Sequence, residues 1–261
     1  MVLLAADIGN VSTVLGLLAG DGSDDVVDHW RVGTDERRTG DEWAVLLRGL
    51  LGRRFDDVDG VVVCATVPSV LNAWREMLAR DFGAVPCVVL EPGTRTGVPI
   101  AVDNPREVGT DRIANAVAAA ARFDAPTIVV DFGGTATTYD VVDGGGRYVG
   151  GAITPGIAIS LEALGRGGAQ LRMVELARPR SVIGKNTVEA LQSGVLFGVA
   201  SQVDGMVERI VEALGCDVDD VAVVATGYLA PLVIEECRSF TDHEPWLTLQ
   251  GLGIVFGRNR R

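Results

Sequence analysis

Asp111 and Arg112 stand side by side at the end of NPREVGTDR (residues 104–112), just before an alanine-rich run, RIANAVAAAAR. A carboxylate and a guanidinium at one helix start can do two jobs. The guanidinium can hold a ligand carboxylate as a bidentate pair. The neighbouring aspartate can take a proton from an attacking hydroxyl. A cation at the positive end of a helix dipole runs against the usual preference, so Arg112 is more easily understood with an anionic partner. A second chemistry is written twice. LLAADIGNVST (3–13) and TIVVDFGGTATT (127–138) are apolar runs that end in Asp-x-Gly and continue into small hydroxyl residues. Glycine lets a backbone approach phosphate closely, its N–H groups and nearby hydroxyls donate, and the aspartate can hold a cation or its water.

Two further segments bear on the site. IGKNT (183–187) looks like the end of a phosphate-binding P-loop, but Pro179 occupies the position where that motif requires glycine, so it is not one. Thr187 is expected to cap the helix that follows. Gly194 and Gly198, four apart on that helix, would admit a close backbone neighbour, within the chain or in a second subunit. Lys185 is the only lysine among 23 basic residues. A compact ammonium kept where a planar guanidinium would not fit is one reading, and biased composition is the other.

The elements that must position these residues repeat. VLLAAD, TVLGLLAG and DDVVDHWRVG read as strands separated by Gly and Asp turns, among them Gly20-Asp21-Gly22. A helix starting at Thr39-Gly40-Asp41-Glu42, a buried strand (DGVVVCATV), a helix near residues 71–82 and the strand CVVLEP follow. The second half runs the same way: TIVVDFG, TATTYDVV and RYVGGAITPG as strands, helices near 157–164 and 187–214, the strand VAVVATG and a helix over PLVIEECR. Between the halves, residues 110–123 are strongly helical. The expectation is an internal duplication, with two like domains (1–115 and 116–261) facing each other across a cleft, each opening with a hairpin whose turn carries Asp-x-Gly.

Composition bounds the rest. The 261 residues, 48% hydrophobic with 33 glycines, suit one large or two modest α/β domains. A net charge of −12 argues against a nucleic-acid partner, since phosphate backbones are held by basic surfaces. The four cysteines are far apart and lack metal-ligand spacing, so they read as reduced core thiols. Two histidines leave little room for a His-based catalytic or zinc site. No apolar run is long enough to span a bilayer and the N-terminus shows no basic leader, so a cytoplasmic location and no membrane partner are expected.

Taken in order, DIGN, NPREVGTDR, DFGGTATT, GGAITPG, IGKNT with QSG, ATG and LTLQGL (247–252) resemble the motifs of the type III pantothenate kinases over nearly the whole chain. The resemblance implies duplicated ribonuclease H-like (actin-like ATPase) domains, α/β with mixed sheets flanked by helices and an ATP cleft between them. It also implies transfer of the ATP γ-phosphate to pantothenate, giving 4′-phosphopantothenate, the first step of coenzyme A synthesis. In that family's terms Asp7, Ile8, Gly9, Asn10, Val11, Ser12, Thr13 and Val14 form the first phosphate loop, with Asp7 holding Mg2+ through water. Gly109, Thr110, Asp111, Arg112 and Thr187 bind pantothenate, with Asp111 as general base and Thr187 reaching it across a homodimer interface. Asp131 binds a monovalent cation, K+ or NH4+. Thr135 contacts ATP and Gly227 lies by the adenine. Four positions depart from the family pattern: an extra glycine in DFGGTATT, expected to be absorbed as a bulge; Val11 in place of threonine, leaving Ser12 or Thr13 to reach phosphate; Tyr228 in place of a second glycine; and Val102 in place of a tyrosine against pantothenate. A catalytically silent relative with a regulatory role and a kinase for another small hydroxy acid are the competing readings.

Overall fold

The structure, a computed structural model, describes residues 1–19, 25–167 and 174–260, with the side chains of 166 and 167 not described. The expected turn at Gly20-Asp21-Gly22 lies outside them. The chain divides into two compact units, one of 1–122 together with 246–261 and one of 123–245.

In the first unit, β1 (Val2–Ile8), β2 (Ser12–Ala19), β3 (Val26–Gly33), β4 (Val58–Ala65) and β5 (Cys87–Val89) form one sheet in the order β3-β2-β1-β4-β5. Strand β1 is antiparallel to β2 and parallel to β4. It lies mid-sheet, and Leu3 to Ala6 are all buried, as their unbroken apolar run requires. Helix α1 (Gly40–Leu51) begins where the sequence places it: Thr39 Oγ1 accepts from Glu42 N at 3.3 Å, and Glu42 Oε2 accepts from Thr39 N at 2.7 Å. It packs Trp43 against Trp74 of α2 (Pro68–Asp81), with ring centroids 5.3 Å apart in the core beneath the sheet. Helix α3 (Thr110–Arg122) buries Ala114 to Ala119.

The second unit repeats the plan. Strands β6 (Thr127–Phe132), β7 (Ala136–Val142), β8 (Tyr148–Pro155), β9 (Ala222–Thr226) and β10 (Asp242–His243) are ordered β8-β7-β6-β9-β10, the same topology strand for strand. Helix α4 (Ile157–Gly167) follows the hairpins. Helix α5 (Thr187–Leu214) runs 28 residues and stops at Gly215, whose φ of 66° ends it in the left-handed conformation. The helix expected over PLVIEECR is shorter than that: α6 (Ala230–Val233) gives way to a single 3-10 turn at Ile234–Glu236, and Cys237 is already extended.

The last helix, α7 (Leu247–Asn259), belongs to the first unit rather than the second, unlike the linear division at 115/116. It lies along α3, where Thr248 Oγ1 donates to buried Asn115 Oδ1 at 2.7 Å. Gly251 passes so close to α3 that a Cβ there would fall on the Ala114 carbonyl oxygen.

Candidate active site

Each unit carries one of the two expected Asp-x-Gly turns, at the carboxyl end of its first strand. In the first unit the β1–β2 register runs unbroken to Asp7 opposite Val14 and Ile8 opposite Thr13, leaving a four-residue turn over 9–12 closed by Gly9 N donating to Ser12 O at 3.1 Å. Asp7 is half-buried at the strand end, and Cys64, its register partner on β4, donates its thiol hydrogen to Asp7 Oδ1 at 3.2 Å. Ile8 is buried, Gly9, Ser12 and Val14 are half-buried, and Asn10 and Val11 are exposed. Thr13 is fully buried and its hydroxyl pairs with Thr34 Oγ1 at 2.9 Å. Of the two hydroxyls weighed for the work Val11 cannot do, Ser12 is the one presented on the turn.

The second hairpin is built to the same measure. Asp131 faces Thr138 and Phe132 faces Thr137, leaving a four-residue turn over 133–136, with no register shift anywhere along β6–β7. The expected bulge is therefore absent. Gly133-Gly134 occupies the length that Gly9-Asn10 occupies in the first turn, so Thr135 stands where Val11 stands. Thr135 is half-buried, and its carbonyl accepts from Gly156 N at 2.9 Å, which ties the turn to the end of β8. Asp131 is half-buried and opposite Thr226 in the β6–β9 register. Gly227, next along, has a φ of 89°, and a Cβ there would lie 2.5 Å from Asp131 Oδ1 and 2.7 Å from Phe132 O. Only glycine lets the backbone after β9 lie this close to the Asp131 carboxylate and the Phe132 carbonyl oxygen. Tyr228 is half-buried beside it.

Asp111 is set by three neighbours. Thr110 Oγ1 accepts from Ala65 N at 3.2 Å and donates to Ala65 O at 3.3 Å, so the start of α3 is tied to the end of β4. Gly109 O accepts from Ile113 N at 3.1 Å, opening the helix. A side chain on Gly109 would collide with Asp111 Oδ1, so only glycine lets the carboxylate lie where it does. Oδ1 itself is buried and makes no hydrogen bond. Burial pushes the Asp111 carboxyl above its usual range, while the backbone N–H groups of Arg112 and of Asp111 itself, and the Arg112 charge, pull it back. A desolvated carboxylate with one unused oxygen is poised to accept a proton. Arg112 is half-buried next to it and Val102 is half-buried on the loop before it.

Thr187 is exposed at the first position of α5, but it is not the cap. Asn186 caps the helix, its Oδ1 accepting from Glu189 N at 2.9 Å. Glu189 also accepts from Lys185 N at 3.1 Å and from Arg180 at 2.6 Å, which fixes the IGKNT turn and leaves the Thr187 hydroxyl out of the capping. Lys185 is exposed, as are Val182 and Ile183 beside it.

Among the described residues, no three His, Cys, Asp or Glu side chains converge as a metal site. A divalent cation at Asp7 would then take its other ligands from water and phosphate, the coordination that Mg2+ favours. Two contacts were beyond a reading of the sequence. Thr34 under Thr13 and Cys64 beside Asp7 both depend on strand register, which no local pattern reveals.

Comparison with known proteins fits this geometry. The type III pantothenate kinase family profile matches residues 3–209. A type III pantothenate kinase of Nocardioides sp. is 66% identical over 99% of this chain and all of its own length. Another, of Streptomyces coelicolor, is 58% identical over 99% of this chain and 98% of its own. Among solved structures, a conserved Baf family protein from Campylobacter jejuni superposes with a TM-score of 0.59 at 16% identity, covering 98% of both chains. The activator of 2-hydroxyisocaproyl-CoA dehydratase from Clostridium difficile, with bound ADPNP, gives 0.56 at 15%, covering 99% of this chain and 94% of its own. The distant structures share the duplicated fold, and the full-length sequence identity is far more specific: the chain belongs to the type III pantothenate kinase family.

Proposed function

We propose that this protein phosphorylates the primary hydroxyl of pantothenate with ATP, giving 4′-phosphopantothenate, the entry step of coenzyme A synthesis. The observation that carries this reading is Asp111: a buried carboxylate oxygen without a hydrogen bond, beside an arginine at a helix start. Pantothenate offers the two matching groups, a hydroxyl to deprotonate and a carboxylate for Arg112 to hold. Phosphoryl transfer asks the protein mainly for positioning and charge neutralisation. The N–H groups of the turns over 9–12 and 133–136, with the Ser12 and Thr135 hydroxyls, supply donors for phosphate oxygens. Asp7 holds Mg2+ through water. Mg2+ neutralises phosphate charge and aligns the transferred group. Asp131 holds the monovalent cation, K+ or NH4+, which an acidic protein needs beside a triphosphate. Exposed Val182, Ile183 and Val188 around Thr187 are an apolar surface suited to a homodimer that brings Thr187 to the pantothenate of its partner.

A coupled ADP-release assay tests the reading. Pantothenate with MgATP should release ADP, more rapidly in K+ or NH4+ than in Na+ at equal ionic strength, and light scattering should give twice the 27.5 kDa chain mass. ADP release with other hydroxy acids but not with pantothenate would transfer the activity to another substrate. No nucleotide effect at all would leave a binding protein.

A further inference from the structure

Cys64 is fully buried on β4, and its thiol hydrogen points at Asp7 Oδ1 across 3.2 Å. The second unit repeats the placement: Thr226, 1% exposed and also bearing a hydrogen-bond donor, stands in register opposite Asp131 as Cys64 stands opposite Asp7. A fixed donor on the neighbouring strand narrows the rotation of a carboxylate about its last bonds.

We infer that Cys64 is a positioning residue for the phosphate half-site, its S–H···Oδ1 bond holding the Asp7 carboxylate in the orientation that receives Mg2+ with ATP. This rests on the reading of Asp7 as the Mg2+ residue. No bond is made or broken at sulfur. Removing an outer partner of a metal-holding group commonly weakens metal affinity by roughly 10- to 100-fold. A thiol is a weak donor, so the low end of that range applies here.

The test uses the full chain with Cys64→Ser, Cys64→Ala and Asp7→Asn, each checked for the parent's circular dichroism. In the parent, the infrared S–H band assigned to Cys64 by subtracting the Cys64→Ser spectrum should lie at lower frequency than that of an unbonded thiol, and it should move up in Asp7→Asn. Calorimetric binding of a non-hydrolysable ATP analogue should need about tenfold more Mg2+ for half-saturation in Cys64→Ala, while Cys64→Ser, which keeps a donor, should stay within about threefold of the parent. A Cys64 band at the free-thiol frequency overturns the inference, as does a Mg2+ requirement unchanged in Cys64→Ala or raised equally in Cys64→Ser. Asp7→Asn with the parent's Mg2+ requirement would instead remove Asp7 from the metal site, and the inference with it.

Discussion

Asp111 carries a cost that the role proposed for it would explain. A carboxyl whose folded pKa is raised by burial is less stable ionised in the fold than in the unfolded chain. That cost is absent below the unfolded pKa, sets in as pH rises, and is complete above the folded pKa. Asp111→Asn should therefore be at least as stable as the parent at pH 7, with the difference fading as pH falls to the carboxylate range, in thermal melts across pH. The same variant should lose about 10²- to 10⁴-fold in turnover, the usual contribution of a positioned base. Gly109→Ala asks the complementary question. Its methyl group would displace Asp111 Oδ1 rather than remove it, and a shift of about 1 Å in a catalytic group can cost about 10²-fold. Turnover should fall by about that factor with the fold intact; unchanged kinetics would show that the carboxylate can find its place another way.

At the scale of single elements, the cap of α5 separates structure from substrate. Losing an Asn cap typically costs about 1 kcal/mol. Asn186→Ala should lower stability by that amount in urea titration, since Glu189 N loses its acceptor. Thr187→Val should leave stability nearly unchanged and raise the KM for pantothenate instead. The sequence marked a helix start at this place but chose the wrong residue, because Asn and Thr are both good caps and adjacent. The choice was made by the Arg180–Glu189–Lys185 contacts, which set the turn one residue earlier. The hairpins teach the same lesson in the other direction. Against a family pattern, Gly134 looks like an insertion; against the protein's own first hairpin it is none, because both turns span four residues between paired strands.

For the molecule as a whole, the duplication is plain in the two identical strand orders, yet the chain's last helix goes back to the first unit. Helix α7 buries Leu247, Leu249, Leu252, Val255 and Phe256, so part of the first unit's core comes from a segment that follows the whole of the second unit. Gly251→Val would drive a side chain into the Ala114 carbonyl and should cost about 1–3 kcal/mol, read as a lower Tm. Among the described residues no helix is long and apolar enough to cross a membrane.

By itself the sequence determined the repeated strand-Asp-x-Gly plan, the start of α1 at Thr39, the alanine-rich α3 and the Asp111–Arg112 pair at its start. All of these are local: period, turn chemistry and cap preference act within a few residues. Tertiary structure alone decided that Cys64 faces Asp7, that Thr13 spends its hydroxyl on Thr34, that Gly227 lies against Asp131, and that α7 lies on α3. Those contacts join residues far apart in the chain, and their partners are fixed by strand register and helix packing, which depend on the whole fold rather than on any one segment.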